Sequence, residues 1–362
     1  MKVFTVTFLI NNYGSILQAY ALQSCLKELG AEPVIIVHKC KGKRSRIRIL
    51  LGLLKPVKHY SLIQRIKKHL HVRKYSEKNK KLEEFRKQNI SVIQISDKKS
   101  FLRMIADNDI FLAGSDQIWS MAQSPLSPWY TLQWTKNVKN KRYSYAASIG
   151  LSALSEDQIL SYSKGLSSFE MISLREKHAV SLLTPLFPNR VRQDLDPTLL
   201  YDASFWRIIE SKRLIDEPYI FVYMLRPDKN VIKLARRVAK DLKCKILYTG
   251  LLADNYRGVT TICNAGIEDF LSYIDNAEAV IVNSFHGTVF SVLFEKPFMS
   301  VKVASTSSRV ESFLSMVDLM SQYVDNVNQN YPLSVNFTNA RQILEKERQK
   351  SLNYLQSICQ RG

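Results

Sequence analysis

Three times in this chain a short apolar run empties into a polar, glycine-bearing loop. Residues 3–8 lead into Asn11-Asn12-Tyr13-Gly14-Ser15. Asp109-Ile110-Phe111-Leu112-Ala113 leads into Gly114-Ser115-Asp116-Gln117-Ile118-Trp119, and Ala279-Val280-Ile281-Val282 into Asn283-Ser284-Phe285-His286-Gly287-Thr288. Uninterrupted apolar runs suit strands covered on both faces, which is the condition of a parallel sheet flanked by helices. The loops that follow such strands gather along the carboxyl edge of the sheet, where ligands bind. Helical spacing resumes after the first loop: Leu17, Ala21, Leu22, Cys25, Leu26 and Leu29 share a face, and Gly30 stands where a helix should stop. After the third loop, residues 289–294 read as another helix face.

The alternation of strand and helix recurs in both halves. Residues 34–37, 141–148 and 171–174 read as further strands of the first half, with Ser155 a plausible cap for a helix after residue 154. In the second half, residues 219–225, 245–249, 279–282 and 298–303 read as strands, and 230–242 and 267–274 as helices. Asp194-Leu195-Asp196-Pro197-Thr198-Leu199-Leu200 forms a proline-marked boundary between them. The expected architecture is α/β, with two Rossmann-like domains facing a cleft. The first spans 1–200 and carries a basic helical insertion at about 39–103. The second spans 201–340 and carries the His-Gly turn. A charged C-terminal helix fills 341–362.

A chain of 362 residues lets each half bury a core of its own. No apolar run approaches the length of a membrane span. The opening residues superficially resemble a signal peptide, but they run into Asn11-Asn12-Tyr13-Gly14 and not into a small-residue cleavage site, so a first strand is the expectation. Five cysteines lie scattered without a CxxC pair, which fits a reducing cytoplasm better than a disulfide framework. Of six histidines only His69 and His71 lie close together in the chain, and they form no zinc pattern with a further His or Cys. Cys359 occupies the place of a prenylation cysteine, but Gln360 and Arg361 are not the aliphatic residues that signal needs.

The formal charge is +20, and most of it falls between Lys39 and Arg103, where 21 Lys or Arg face four acids. Residues 47–55 and 62–70 mix apolar and basic side chains at roughly helical spacing. Such helices suit an anionic membrane surface. A solvated, poorly packed insertion would have the same composition. No nucleic-acid module is recognisable, and no nucleic-acid partner is expected.

Five stretches together carry a resemblance. They are residues 11–23 (Asn-Asn-Tyr-Gly-Ser-Ile-Leu-Gln-Ala-Tyr-Ala-Leu-Gln), Gly114-Ser115-Asp116-Gln117-Ile118-Trp119, Tyr145-Ala146-Ala147-Ser148-Ile149-Gly150, Ser173-Leu174-Arg175-Glu176-Lys177 and Ser284-Phe285-His286-Gly287-Thr288. Asp196-Pro197-Thr198-Leu199 is a weaker sixth. In this order, over about residues 3–312, the chain resembles the polysaccharide pyruvyl transferase family. The resemblance implies a fold similar to GT-B glycosyltransferases. It implies pyruvyl transfer from phosphoenolpyruvate to a sugar, usually as a cyclic ketal bridging two hydroxyls. It places a catalytic histidine at His286, lifts Arg175 above an ordinary surface arginine, and calls for a basic residue downstream of the His turn, here Lys302 or Arg309. The 39–103 segment is less recognisably part of the family pattern.

Phosphoenolpyruvate becomes an electrophile when its methylene carbon gains a proton, so the site needs an acid and cations for two anionic groups. His286 is the candidate acid, since imidazole exchanges protons near neutrality; the competing role is a hydrogen bond to phosphate. Arg175 is the candidate anion anchor, against the common alternative of pairing with Glu176 or Glu170. Ser284, Gly287, Thr288 and the first N–H groups of the following helix are candidates for phosphate oxygens. Asn12, Tyr13 and Gly14 are candidates for the substrate, with Gly14 permitting close approach and Asn12 alternatively capping the helix. Ser115, Asp116 and Gln117 suit a sugar, and Asp116 suits a base for the attacking hydroxyl or, equally, an N-cap. Trp119 reads as core. No metal and no cofactor is expected, since the reaction as drawn requires none.

The expected partners are phosphoenolpyruvate, a glycan or lipid-linked sugar acceptor, and an anionic membrane surface. The expected place is the cytoplasm, peripheral on the inner face of the membrane. Two rival functions share the fold: a GT-B glycosyltransferase using a nucleotide sugar, and a non-catalytic carbohydrate-binding relative.

Overall fold

The structure, a computed structural model, describes residues 1–38, 62–122, 124–225, 227–250, 256–303, 307–325 and 333–360, with the backbone alone over 62–75 and at 307. Two parallel sheets organise them. The first contains β1 (Lys2–Val6), β2 (Glu32–His38), β3 (Val92–Ile95), β4 (Ile110–Ala113) and β5 (Arg142–Ser144), in the order β3-β2-β1-β4-β5. The parallel pair β6 (Ile172–Leu174) and β7 (Val191–Gln193) continues it through bridges from Tyr143 to Met171 and from Ala147 to Leu174. The second contains β8 (Tyr219–Met224), β9 (Lys245–Gly250), β10 (Thr260–Thr261), β11 (Ala279–Val282), β12 (Phe298–Val301) and β13 (Tyr323–Val324), in the order β10-β9-β8-β11-β12-β13. Each unit thus runs outward from its first strand in both directions, the Rossmann arrangement, and the first and fourth strands lie side by side at its centre. Val3 pairs with Ile110 there, and Ile281 with Val222. These central strands are apolar because helices cover both faces: β4, β8 and β11 are buried at every position.

The helix Tyr13–Glu28 ties the two units together. Asn12 caps it, accepting from the Gly14 N–H at 2.9 Å. The helix is buried nearly all round, as expected where it serves two cores at once. Ile16 and Leu17 pack in one cluster with Phe270, Phe290 and Val292 of the second unit. Leu22, Cys25 and Leu26 pack in another with Val3 and Ile110. Tyr13 stacks on Phe270 with ring centres 4.3 Å apart and donates its hydroxyl to the Ala265 carbonyl at 2.9 Å.

The basic segment is not one insertion. Leu62–Asn89 is a helix whose later turns bury Leu82 and Phe85, and β3 closes the edge of the first sheet with Val92 opposite Ile35. The apolar spacing of Leu82, Phe85 and Ile90 is hidden among basic residues: Lys80, Lys81 and Lys87 are solvated, while Lys78 is buried on the same side and donates to the Gly250 carbonyl at 3.1 Å. Residues 47–55 lie outside the described residues. The backbone is helical at 62–70, as the spacing predicts. No helix among the described residues is long and apolar enough to cross a membrane.

Ser155 caps the helix Glu156–Gly165 in a full capping box with Gln158. The last helix begins at Thr338, earlier than the spacing suggests, and is described to Gln360. It returns to the first unit: Tyr354 donates to the Ser144 carbonyl at 2.9 Å, Ser351 accepts from the Leu195 N–H at 3.1 Å, and Leu355 and Ile358 are buried beside Val3 and Leu22.

Candidate active site

β11 ends at Val282 and Ser284 opens the helix Phe285–Leu293, accepting from the Gly287 N–H at 3.0 Å. Gly287 must be small: a Cβ there would stand 2.7 Å from Ser284 Oγ and 2.9 Å from Val282 Cγ1. His286 therefore sits on the first turn of a helix whose start is fixed by its own cap. Its side chain is 11% exposed.

Below the imidazole lies a carboxylate. Asp196 Oδ2 is 3.6 Å from His286 Nε2, an ion-pair separation and not a hydrogen bond. The same oxygen accepts from Arg175 Nη1 at 2.7 Å and from Ser115 Oγ at 3.3 Å. The other oxygen accepts from the Thr198 N–H at 3.0 Å and from Thr198 Oγ1 at 2.7 Å. Asp196 comes from the turn before Pro197–Leu200, where an Asp ahead of Pro caps the short helix. Arg175 follows β6; its guanidinium lies 4.2 Å over the Phe285 ring, and its Nε faces Glu176 Oε1 at 3.2 Å. The first unit thus supplies a guanidinium and the second an imidazole, and both meet one buried carboxylate.

Gly14 closes the site from the other side. A Cβ at Gly14 would stand 2.0 Å from His286 Nδ1, 2.4 Å from Cγ and 2.6 Å from Cε1. Distances so similar place it over the face of the ring, so the glycine packs on the imidazole plane and leaves the in-plane N–H direction of Nδ1 clear. No larger residue fits without moving the ring.

The site holds charges of both signs. Arg309, 8% exposed on the helix Ser307–Met316, has its pKa pushed down to about 10, first by burial and then by the like charge of Arg175, while Asp116, Glu176 and Asp196 oppose that shift. For Arg175, burial works against the charge, but Glu176, Asp196 and Asp116 more than offset it. Burial also works against the Asp196 charge, yet His286, Arg175 and Thr198 together hold that carboxyl well below the usual carboxylate range. Arg175, Asp196, Phe285 and Arg309 border a cavity of about 20 Å³, room for a single water and for nothing larger. Beside it, with Gln193, Ser312 and Met316 in both walls, opens a groove of about 850 Å³ that Lys177, His178, Glu311 and Lys350 also line.

Several residues expected at the ligand are turned elsewhere. Tyr13 is an interdomain pin, 1% exposed. Asn12 serves the helix cap. Thr288 faces inward, donating to the Ser284 carbonyl at 3.0 Å and sharing a hydrogen bond with Ser300 Oγ at 2.9 Å, and Ser284 is held by the Gly287 N–H. Arg175 stands in the wall and not in the open, its side chain 3% exposed. Asp116 caps no helix: its carboxylate accepts from the Gln117 N–H at 2.8 Å in a turn. Its φ of 77° is unusual for a side-chain-bearing residue. Gln117 packs toward Gly150, where an added Cβ would lie 2.6 Å from its Nε2. Lys302 is exposed and lies 5.8 Å from the Tyr323 ring, so of the two downstream cations it is Arg309 that belongs to the charge cluster. Trp119 is core, donating to the Tyr130 carbonyl at 2.9 Å. Asp196 is a site residue that the sequence alone marks only as a cap, through Asp-Pro-Thr. No cluster of metal-ligating side chains occurs among the described residues.

Comparison with known proteins agrees with this fold. Arabidopsis thaliana UGT89C1 complexed with UDP-L-rhamnose has a similar structure, with a TM-score of 0.53 at 8% identity over 99% of each chain. The UDP-GlcNAc 2-epimerase of Methanocaldococcus jannaschii gives 0.51 at 11% identity, over 96% of this chain and 99% of its own. At such identities the likeness is of fold: two Rossmann-like units in the GT-B arrangement. Curated proteins give no significant match. The family model described as polysaccharide pyruvyl transferase matches residues 12–305, which takes in Gly14, Asp116, Arg175, Asp196 and His286. With most of its length and its whole central charge cluster except Arg309 inside that match, the chain belongs to the polysaccharide pyruvyl transferase family.

Proposed function

We propose that the protein transfers the pyruvyl group of phosphoenolpyruvate to a sugar of a glycan or lipid-linked glycan precursor, closing a ketal over two hydroxyls. The observation that carries this reading is the meeting of His286 and Arg175 on Asp196 in a chain of this family. His286 is the acid. With Nε2 turned toward Asp196, the proton it gives is on Nδ1. That proton bonds to the methylene carbon, which becomes a methyl group, and the neighbouring carbon takes on oxocarbenium character. One acceptor hydroxyl bonds to that carbon and returns its proton to the imidazole. The second hydroxyl then displaces phosphate, which leaves with the remaining proton.

The negative charge of the donor is met by the Phe285 and His286 N–H groups at the helix start, with the buried charges of Arg175 and Arg309 acting from within the wall behind them. Asp116, on the first-unit loop facing this cluster, is the candidate base for the second attacking hydroxyl, passing that proton on to the departing phosphate. The groove beside Gln193 and Ser312 offers amide, hydroxyl and charged groups to a polyhydroxyl acceptor. Incubation with phosphoenolpyruvate and candidate acceptors should release inorganic phosphate and add a pyruvyl mass to the acceptor. Release of UDP or GDP from a nucleotide sugar, with no phosphate from phosphoenolpyruvate, would instead make the protein a glycosyltransferase. The charge of residues 39–103 supports a further part of the reading, attachment to anionic membrane surfaces. Flotation should then be strong with anionic vesicles and absent with neutral ones; equal, negligible flotation with both would remove it.

A further inference from the structure

We propose that Asp196 is the positioning residue of this site, whose carboxylate fixes which nitrogen of His286 exchanges a proton with substrate. The inference rests on the reading of His286 as the acid, and it adds a residue that reading does not require. Four hydrogen bonds hold the carboxylate: two from Thr198 on Oδ1, and those of Arg175 and Ser115 on Oδ2. It cannot turn without breaking them, and its side chain is 0% exposed to bulk solvent. In this grip Oδ2 is presented to His286 Nε2, a buried atom with no hydrogen bond of its own. The 3.6 Å gap closes with a small shift of the ring, as catalytic contacts commonly tighten when substrate binds. Gly14, packed on the ring face, leaves in-plane motion toward Asp196 free.

The charged groups around the imidazole are Asp196 directly, Arg175 behind it, and Glu176, Arg309 and Asp116 in the same cluster; the helix Tyr13–Glu28 contributes only uncharged Gly14 to the contact. Of the three acids, only Asp196 makes a close contact with the ring. With Nε2–H held on Asp196 through the cycle, every proton passed to or from substrate must use Nδ1. A carboxylate behind a catalytic imidazole plays this part in other enzymes, where its replacement by the amide puts the proton on the wrong nitrogen.

The experiment combines ¹⁵N NMR of the histidine-labelled protein, which needs no substrate, with steady-state kinetics. Neutral His286 in the native protein should carry its proton on Nε2, and Asp196→Asn should lose that preference. In phosphate release from phosphoenolpyruvate, Asp196→Asn should lower kcat at least about 100-fold and leave the donor KM within about threefold. Thr198→Val, which frees one side of the carboxylate without removing it, should lower kcat about tenfold or less and keep the tautomer. A native ring protonated on Nδ1, or ring ¹⁵N shifts unaltered by Asp196→Asn, would overturn the proposal. So would a kcat in Asp196→Asn within threefold of native. If Asp196→Asn does not fold, the native tautomer and the Thr198→Val rate decide. Should no pyruvyl transfer be found while the tautomer behaves as described, the functional reading fails and the positioning role stands.

Discussion

The fourth strands of the two units, β4 and β11, occupy the same place beside the first strand of their sheets, yet they end differently. β11 passes through Ser284 into a nine-residue helix and delivers His286 on a capped, buried first turn. β4 passes into a turn with no helix, where Asp116 sits at φ 77° and its carboxylate bonds the next residue's own N–H. The same topological position thus yields a rigid imidazole on one side and a strained loop carboxylate on the other. Rigidity suits a group that must meet a small donor in one geometry. Backbone strain of about 1–2 kcal/mol at a non-glycine residue persists only where the surroundings enforce it, and the bridge from Asp116 to Ala147 does so here.

Breaking the β11 side should have the largest effect. His286→Ala should cost about 10³-fold in turnover while phosphoenolpyruvate still raises the melting temperature; undiminished turnover would remove the acid from this account. Next comes Gly14→Ala. On helix propensity alone it should stabilise the Tyr13–Glu28 helix by about 1 kcal/mol. Its Cβ, however, would overlap the His286 ring, and a displaced imidazole should lower turnover about 100-fold. Gly30→Ala is the control: nothing lies within 4 Å and φ is +81°, so it should cost about 1 kcal/mol of stability and leave turnover alone.

The β4 side should respond in the opposite sense. Asp116→Gly should raise stability by about 1 kcal/mol by relieving the positive φ, and should lower turnover about tenfold or more. Asp116→Asn, which tolerates the same φ, separates the charge from the backbone effect. Ser284→Ala should lose about 1 kcal/mol of stability with the cap, a loss that has no counterpart after β4.

Acid titration sharpens the picture from below. In the unfolded chain an Asp takes up its proton near pH 4, whereas Asp196 in the folded protein resists protonation. The stability it contributes is therefore complete above about pH 4 and is lost as pH falls further. Urea midpoints between pH 5 and pH 2.5 should fall less steeply in Asp196→Asn than in the native protein.

Much of this was legible in the sequence, for physical reasons. Apolar runs ending in polar loops located β1, β4 and β11, because a strand covered on both faces has few polar options. The turn at His286 was visible because its strand, cap and glycine are contiguous. The roles of Tyr13, Thr288 and Arg175 were not, because burial is a property of the partner surface: Tyr13 meets Phe270 and Ala265 some 250 residues away, and Thr288 meets Ser300 on the neighbouring strand. Charge density misled over residues 76–103, where the apolar positions that make Leu62–Asn89 and β3 part of the first unit are interleaved with basic residues. The place of Asp196 is not legible in Asp-Pro-Thr-Leu, since its importance lies in a distance of 3.6 Å to a residue 90 positions later.

The central claim is that His286, held by Asp196 and packed on Gly14, gives a proton to the methylene carbon of an enol ester. Turnover with phosphoenolpyruvate in deuterated water, followed by mass spectrometry of the pyruvylated acceptor, tests it most directly. The account predicts one deuteron in the methyl group of each transferred pyruvyl unit, and a rate of product formation about 10³-fold lower with His286→Ala. A pyruvylated acceptor without deuterium, or one formed equally well without His286, would contradict it.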